Sequence, residues 1–244
     1  MKAFLMAAGL GTRLRPLTDV LPKPLIRVKN IPSISYALLH IREAGINDII
    51  INLHYRGDDI KDFFKIHNNF GFNITYSFEE EILGTGGGVM KCRSQLEDDI
   101  FLVINSDVVT DINLKEMYSD FNKINSKGII AIKSSDSSPT VSLNNNCVAD
   151  FKNDLLTDII PGHDYMGIAF LSPEIFQFLT GEFSSIVYTG YTSLIKNYEL
   201  HYYNHEGFWY DIGTLDGLHE TEKLLEGEER FMKRLYDAQV VPVS

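Results

Sequence analysis

An α/β fold with a mixed, mainly parallel central sheet is predicted by two observations. Apolar runs alternate with helical patterns as far as Lys133, the order that βαβ units produce. Several of those runs are apolar throughout, as strands covered on both faces are.

The elements follow in order. Ala3 to Ala8 is a short apolar run, and a Gly/Pro-rich loop from Gly9 to Pro24 comes after it. Pro32 opens a helical pattern through Ile34, Ala37, Leu38, Ile41 and Ala44, which Gly45 closes. Asp48 to Leu53 reads as a buried strand, Asp58 to Ile66 as an amphipathic helix, and Phe72 to Phe78 as a strand. A glycine cluster leads into a helix near Val89 to Leu96, and Ile100 to Ile104 is a buried strand ending at Asn105-Ser106-Asp107. Beyond Lys133 the pattern changes. Thr140 to Leu143 and Cys147 to Phe151 suggest a hairpin across three asparagines. Gly167 to Leu171 is a strand, Pro173 starts a helix, Leu200 to Tyr203 and Phe208 to Ile212 are two further strands, and Leu215 to Leu225 is a helix. From Gly227 the chain is charged and reads as a surface helix or tail. With no repeat and no linker, residues 1–226 are expected to form one domain, read as a 1–135 half and a 136–226 half.

Bulk properties exclude several classes. The chain has 244 residues, 44% of them hydrophobic, which is ample for a core. A net charge of -11 argues against electrostatic capture of nucleic acid. No apolar run approaches the ~18 residues of a membrane span, and the segment from Met1 to Ala8 reads as a first strand rather than a leader. Cys92 and Cys147 are isolated, which suits a reducing cytoplasm. Small-molecule substrates and a monomer or homodimer are expected.

The loop after the first run is the strongest signal. Gly9-Leu10-Gly11-Thr12-Arg13-Leu14-Arg15-Pro16 continues to Pro22-Lys23-Pro24. Glycines let backbone N–H groups approach phosphate oxygens, Arg13 offers a forked charge and Lys23 a point charge held between prolines. Arg13, Arg15, Lys23 and Arg27 face one acid, Asp19, in this stretch of an acidic chain. A dinucleotide fingerprint fails because Leu14 stands where a third glycine is required, which disfavours a nicotinamide oxidoreductase; a P-loop fails for lack of Gly-Lys-Ser/Thr. Asp107, at the end of a buried strand, sits where open α/β sheets bind ligands. Asp211, between aromatics and the Gly213-Thr214 turn, is the natural second ligand for Mg²⁺, since Thr214 is available to cap the next helix. The histidines His54, His163, His201, His205 and His219 show no metal spacing.

The stretch from Leu5 to Leu25 resembles the signature of sugar-1-phosphate nucleotidylyltransferases. Leu83 to Gly88, Asn105-Ser106-Asp107 and Trp209 to Thr214 follow in that family's order. The resemblance covers about residues 1 to 225 and implies a Rossmann-like nucleotidyltransferase fold, related to the glycosyltransferase A type, with helices on both faces of the sheet. It implies nucleotide contacts at Ala7, Ala8, Gly9, Gly11, Thr12 and Arg13. It also sets Gly84 and Thr85 at the border of the base, and Glu79 where many relatives carry a base-reading glutamine. Asn105, Gly167, Tyr165 and Trp209 would meet the sugar. The short chain is most like N-acetylmuramic acid 1-phosphate uridylyltransferases, so UTP comes first. Heptose or mannose 1-phosphate guanylyltransferases, thymidylyltransferases and phosphocholine cytidylyltransferases are alternatives, as is a silent relative that only binds nucleotide sugars. One departure stands out: Ala149-Asp150-Phe151-Lys152-Asn153 occupies the place of the Glu-Lys-Pro motif of longer relatives.

Overall fold

The computed structural model describes residues 1–135, 137 and 139–242. Its strands are β1 (Lys2–Met6), the short pair β2 (Arg27–Val28) and β3 (Ile31–Pro32), β4 (Asp48–Leu53), β5 (Asn73–Phe78), β6 (Phe101–Asn105) and β7 (Val108–Thr110). They continue with β8 (Gly128–Ser134), β9 (Val141–Asn144), β10 (Cys147–Phe151), β11 (His163–Leu171), β12 (Leu200–Asn204) and β13 (Trp209–Asp211). The chain divides into two compact units, each gathered from separate stretches. The glycine unit comprises Met1–Phe4, Ile82–Ile104 and Lys115–Glu206; the loop unit comprises Leu5–Glu81, Asn105–Leu114 and the chain from Gly207 on. Each unit draws on both sides of residue 135, so the compositional change there is not where compactness divides the chain.

In the loop unit the strand order is β5-β4-β1. β4 and β5 run parallel, from Asp48 opposite Asn73 to Leu53 opposite Phe78, as their apolar runs predict. Helix Ser33–Glu43 is buried from Ser33 to Ile41, so it is a core helix, apolar on nearly every side. Helix Gly57–Ile66 buries only Gly57, Ile60 and Phe64 and is amphipathic. The segment beyond Gly227 contains a docked helix, Glu229–Asp237, with Phe231 and Leu235 buried one turn apart. Arg234 grips Glu43 with both arms, Nε donating to Oε1 at 2.9 Å and Nη2 to Oε2 at 2.6 Å. Phe231 stacks on Tyr36 at 6.1 Å and meets Phe208 edge-on at 4.9 Å.

In the glycine unit the order is β6-β11-β8-β12-β10-β9. β12 is parallel to β8, whereas β11 is antiparallel to both β6 and β8, which makes the sheet mixed. The expected hairpin is present as β9 and β10, turning at Asn145 with φ 52. The helix predicted near Val89 begins earlier: Gly84–Lys91 is helical, glycines included. Helix propensity argues against that start, and tertiary contact overrides it. Gly86 N donates to Ser184 O at 2.8 Å, Ser184 N to Leu83 O at 3.0 Å, and Ile186 N to Thr85 Oγ1 at 2.9 Å. Among the described residues no helix is long and apolar enough to cross a membrane.

Candidate active site

The loop after β1 is shaped by one glycine. Gly11 has φ 64, and a Cβ there would lie 2.7 Å from Thr18 Cγ2 and 3.1 Å from Lys23 Cβ. Only glycine tolerates both the left-handed backbone and that approach, so Gly11 brings the two ends of the loop together. Thr18 Oγ1 donates to Gly11 O at 2.9 Å, and buried Leu14 pins the loop's middle. Arg13 and Arg15 remain exposed, with Arg15 paired to Asp19 at 3.3 Å.

Four residues singled out in the sequence converge in the loop unit. Lys23 Nζ forms an ion pair with Asp107 Oδ2, the two side chains being 15% and 13% exposed. β13 pairs antiparallel with β7, placing Asp211 opposite Val108, the neighbour of Asp107. Asp211 Oδ1 accepts from Gly213 N at 2.8 Å. A Cβ on Gly213 would sit 2.8 Å from Arg13 Nη2 and 2.9 Å from Asp211 Oδ1, so the missing side chain leaves room for guanidinium and carboxylate to flank the turn. Asp211 keeps an open side, yet its pKa is raised, first by desolvation and then by Asp107, against the pull of Lys23, Gly213 N and Arg13. Thr214 caps helix Leu215–Leu224 by accepting from Gly217 N at 3.1 Å, so Asp211 is not needed for that task. Two repelling carboxylates beside two cations make a donor set that suits a hard divalent ion. The two carboxylates fit Mg²⁺, which takes one or two carboxylates and fills its shell with water and phosphate oxygen; among the described residues there is no group of three His, Cys, Asp or Glu that could hold a metal ion.

A family model described as nucleotidyl transferase matches residues 2–142, more than half of the chain. The chain belongs to the nucleotidyl transferase family. A mannose-1-phosphate guanyltransferase of Saccharomyces cerevisiae is 32% identical over 225 residues, which cover 87% of this chain and 61% of that protein. The chain thus spans about three-fifths of the length of the curated relatives it matches. Among solved structures, a UDP-glucose pyrophosphorylase complexed with UDP-glucose superposes with a TM-score of 0.77 at 22% identity, covering 93% of this chain and 98% of that one. HddC from Yersinia pseudotuberculosis does so with a TM-score of 0.75 at 22% identity, covering 92% and 99%. These likenesses establish the Rossmann-like α/β fold.

The other predicted residues are placed as follows. Ala7 and Ala8 are buried at the end of β1, whereas Gly9 and Thr12 are exposed. Glu79 is 1% exposed, and its Oε1 accepts from Asn52 Nδ2 at 2.8 Å. A base edge has almost no surface of Glu79 to meet in this conformation. Gly84, with φ 68, lies against Ser184 O, 2.5 Å from where its Cβ would be, and the hydroxyl of Thr85 is bonded to the Ile186 amide. The close neighbour of both is the transferase's own segment 182–186. Asn105 ends β6, half-buried. Tyr165 packs edge-on against Phe151 and Tyr191, with its hydroxyl 3.1 Å from that of Tyr191, and burial raises its pKa. Gly167 has φ 76 inside the register break of β11 between Tyr165 and Ala169. Trp209 shares a strand face with Asp211, and its buried Nε1 has no hydrogen-bond partner among the described residues.

Sequence reasoning missed Asn52 and His40. Asn52 Oδ1 accepts from Ala7 N at 2.8 Å. Its signal was a lone amide in the run Ile49-Ile50-Ile51-Asn52-Leu53. His40 Nε2 donates to Thr110 O at 2.9 Å from inside the core, and desolvation lowers its pKa to about 4. It supports β7, beside Asp107.

Proposed function

We propose that this nucleotidyl transferase moves a nucleoside monophosphate from a nucleoside triphosphate to a sugar 1-phosphate and releases pyrophosphate. The observation that carries the reading is the convergence of Arg13, Lys23, Asp107 and Asp211 around one turn. An oxygen of the sugar phosphate attacks the α-phosphorus; that O–P bond forms as the bond from the α-phosphorus to the α,β-bridging oxygen of the triphosphate breaks, and that oxygen leaves with pyrophosphate. The attacking phosphate has a second pKa of about 6 and is mostly dianionic at neutral pH, so no protein base is required. The barrier is repulsion between anions and charge on the leaving group, which positioning and fixed cations relieve.

Arg13 holds the β- and γ-phosphates. Lys23 leaves Asp107 for the α-phosphate at the reacting centre, exchanging one anion for another. Asp107 and Asp211 would hold Mg²⁺, which when bound offsets phosphate charge and relieves the repulsion from Asp107 that adds to desolvation in raising the Asp211 pKa. Ala7, Ala8, Gly9, Gly11 and Thr12 line the triphosphate side, and Asn105 and Trp209 the sugar side. GTP comes ahead of UTP, and mannose 1-phosphate ahead of N-acetylmuramic acid 1-phosphate, because the relatives at 32% identity carry mannose-1-phosphate guanyltransferase names. The test is a matrix of four triphosphates against sugar 1-phosphates and phosphocholine, scored by pyrophosphate with and without Mg²⁺. Release only with a triphosphate, a sugar 1-phosphate and Mg²⁺ together supports the reading; silence across the matrix rejects it in favour of a binding protein.

A further inference from the structure

Asn52 stands near the end of β4, 4% exposed, the one amide in an apolar strand. Its side chain is used from both ends: Oδ1 accepts from Ala7 N at 2.8 Å, and Nδ2 donates to Glu79 Oε1 at 2.8 Å. A carboxylate oxygen only accepts, so the atom of Asn52 facing Glu79 is the NH₂ group. Turning the amide over would set oxygen against carboxylate and NH₂ against the Ala7 N–H, losing both bonds and replacing them with repulsions. Glu79 is itself fixed, its N–H donating to Leu53 O at 2.7 Å and its carbonyl oxygen lying 2.9 Å from His54 Nδ1. On the neighbouring residue, Met6 O accepts from Ser106 N at 3.2 Å. The end of β1 is therefore held by Asn52 at Ala7 and by the residue before Asp107 at Met6, just where the Gly9–Pro24 loop departs.

We propose that Glu79 and Asn52 act as positioning residues: Glu79 sets the orientation of the Asn52 amide, and Asn52 fixes the Ala7 N–H from which the phosphate loop springs. Glu79 then acts through Asn52 rather than on the edge of a base. The activity arm of the test rests on the proposed nucleotidyl transfer; the exchange arm does not.

The test is a polarity swap, read by hydrogen exchange of the Ala7 amide and by kcat and KM for pyrophosphate release with GTP and with UTP. Asn52→Asp sets two carboxylates face to face, so Ala7 exchange should quicken about tenfold and kcat/KM fall about 10–100-fold. Glu79→Gln keeps an acceptor but loses its charge, so kcat/KM should fall about threefold to tenfold, by the same factor for both triphosphates. In the double variant the amide of residue 79 donates to one oxygen of residue 52 while the other still accepts from Ala7. It should return exchange and turnover to the Glu79→Gln level. The relay is overturned if the double variant is no better than Asn52→Asp, if Ala7 exchange is indifferent to Asn52→Asp, or if Glu79→Gln alters the preference between GTP and UTP. A parent protein that releases no pyrophosphate removes the proposed activity and leaves exchange to decide the relay.

Discussion

Two glycine-containing segments of this chain have opposite uses. In the loop from Gly9 to Pro24, Gly9 faces open space and only Gly11 is conformationally required. Charged and polar contacts set the shape there: Thr18 on Gly11, Lys23 on Asp107, Arg13 beside the turn at Gly213. In the cluster from Gly84 to Gly88, added Cβ atoms would come within 2.6 Å of segment 182–186 at Gly84, Gly86 and Gly87. One segment leaves the space at Gly9 open, and the other fills it with its own chain. What stands opposite each Cα sets their uses apart.

The contrast breaks most sharply under substitution. Lys23→Ala or Asp107→Asn should lower pyrophosphate release about 10²–10³-fold with the far-ultraviolet circular dichroism of the parent retained. Turnover within a few-fold of the parent for either would remove these residues from the reaction.

A second effect belongs to the loop unit alone. The unfolded chain protonates His40 near 6.5, while the folded core holds it neutral down to about 4. The unfolded state therefore binds more protons in that window. The contribution of His40 is complete above pH 6.5 and declines as pH falls toward 4, by about 3 kcal/mol. Urea denaturation at pH 7 and pH 4.5 should show that loss, and a His40→Gln variant should flatten it. Equal pH dependence in parent and variant would show that His40 is not the group responsible.

The smallest effect sharpens the comparison at the glycines themselves. Gly87→Ala places a methyl 2.4 Å from Glu182 O and should cost about 1–3 kcal/mol of stability, read as a lowered Tm. Gly9→Ala, with nothing within 4 Å, should leave Tm near the parent value and alter the KM for triphosphate instead. Matching Tm losses would erase the distinction.

Much of this was legible in the sequence, for identifiable reasons. β4 and β6 declared themselves by runs of apolar residues, and the Thr214 cap was readable because hydroxyls before helices have a local job. The convergence of Arg13, Lys23, Asp107 and Asp211 followed from charge type and strand-end position, both local properties. Less was legible where the deciding partner lies far along the chain. Gly84 begins a helix because of Ser184, and Glu79 is buried against Asn52; neither partner shows in local pattern. Charge likewise hid the docking of Glu229–Asp237, whose two buried residues, Phe231 and Leu235, are outnumbered by polar ones.

The ladder between β7 and β13 has one more consequence. Asp211 occupies a rung and Asp107 stands just before the first, so peptide hydrogen bonds act as the frame of a caliper whose jaws are two short acid arms. The opening belongs to the frame, not to the arms. A glutamate at either place would lengthen one jaw against an unmoved frame, and the proposed ion would then meet a different gap.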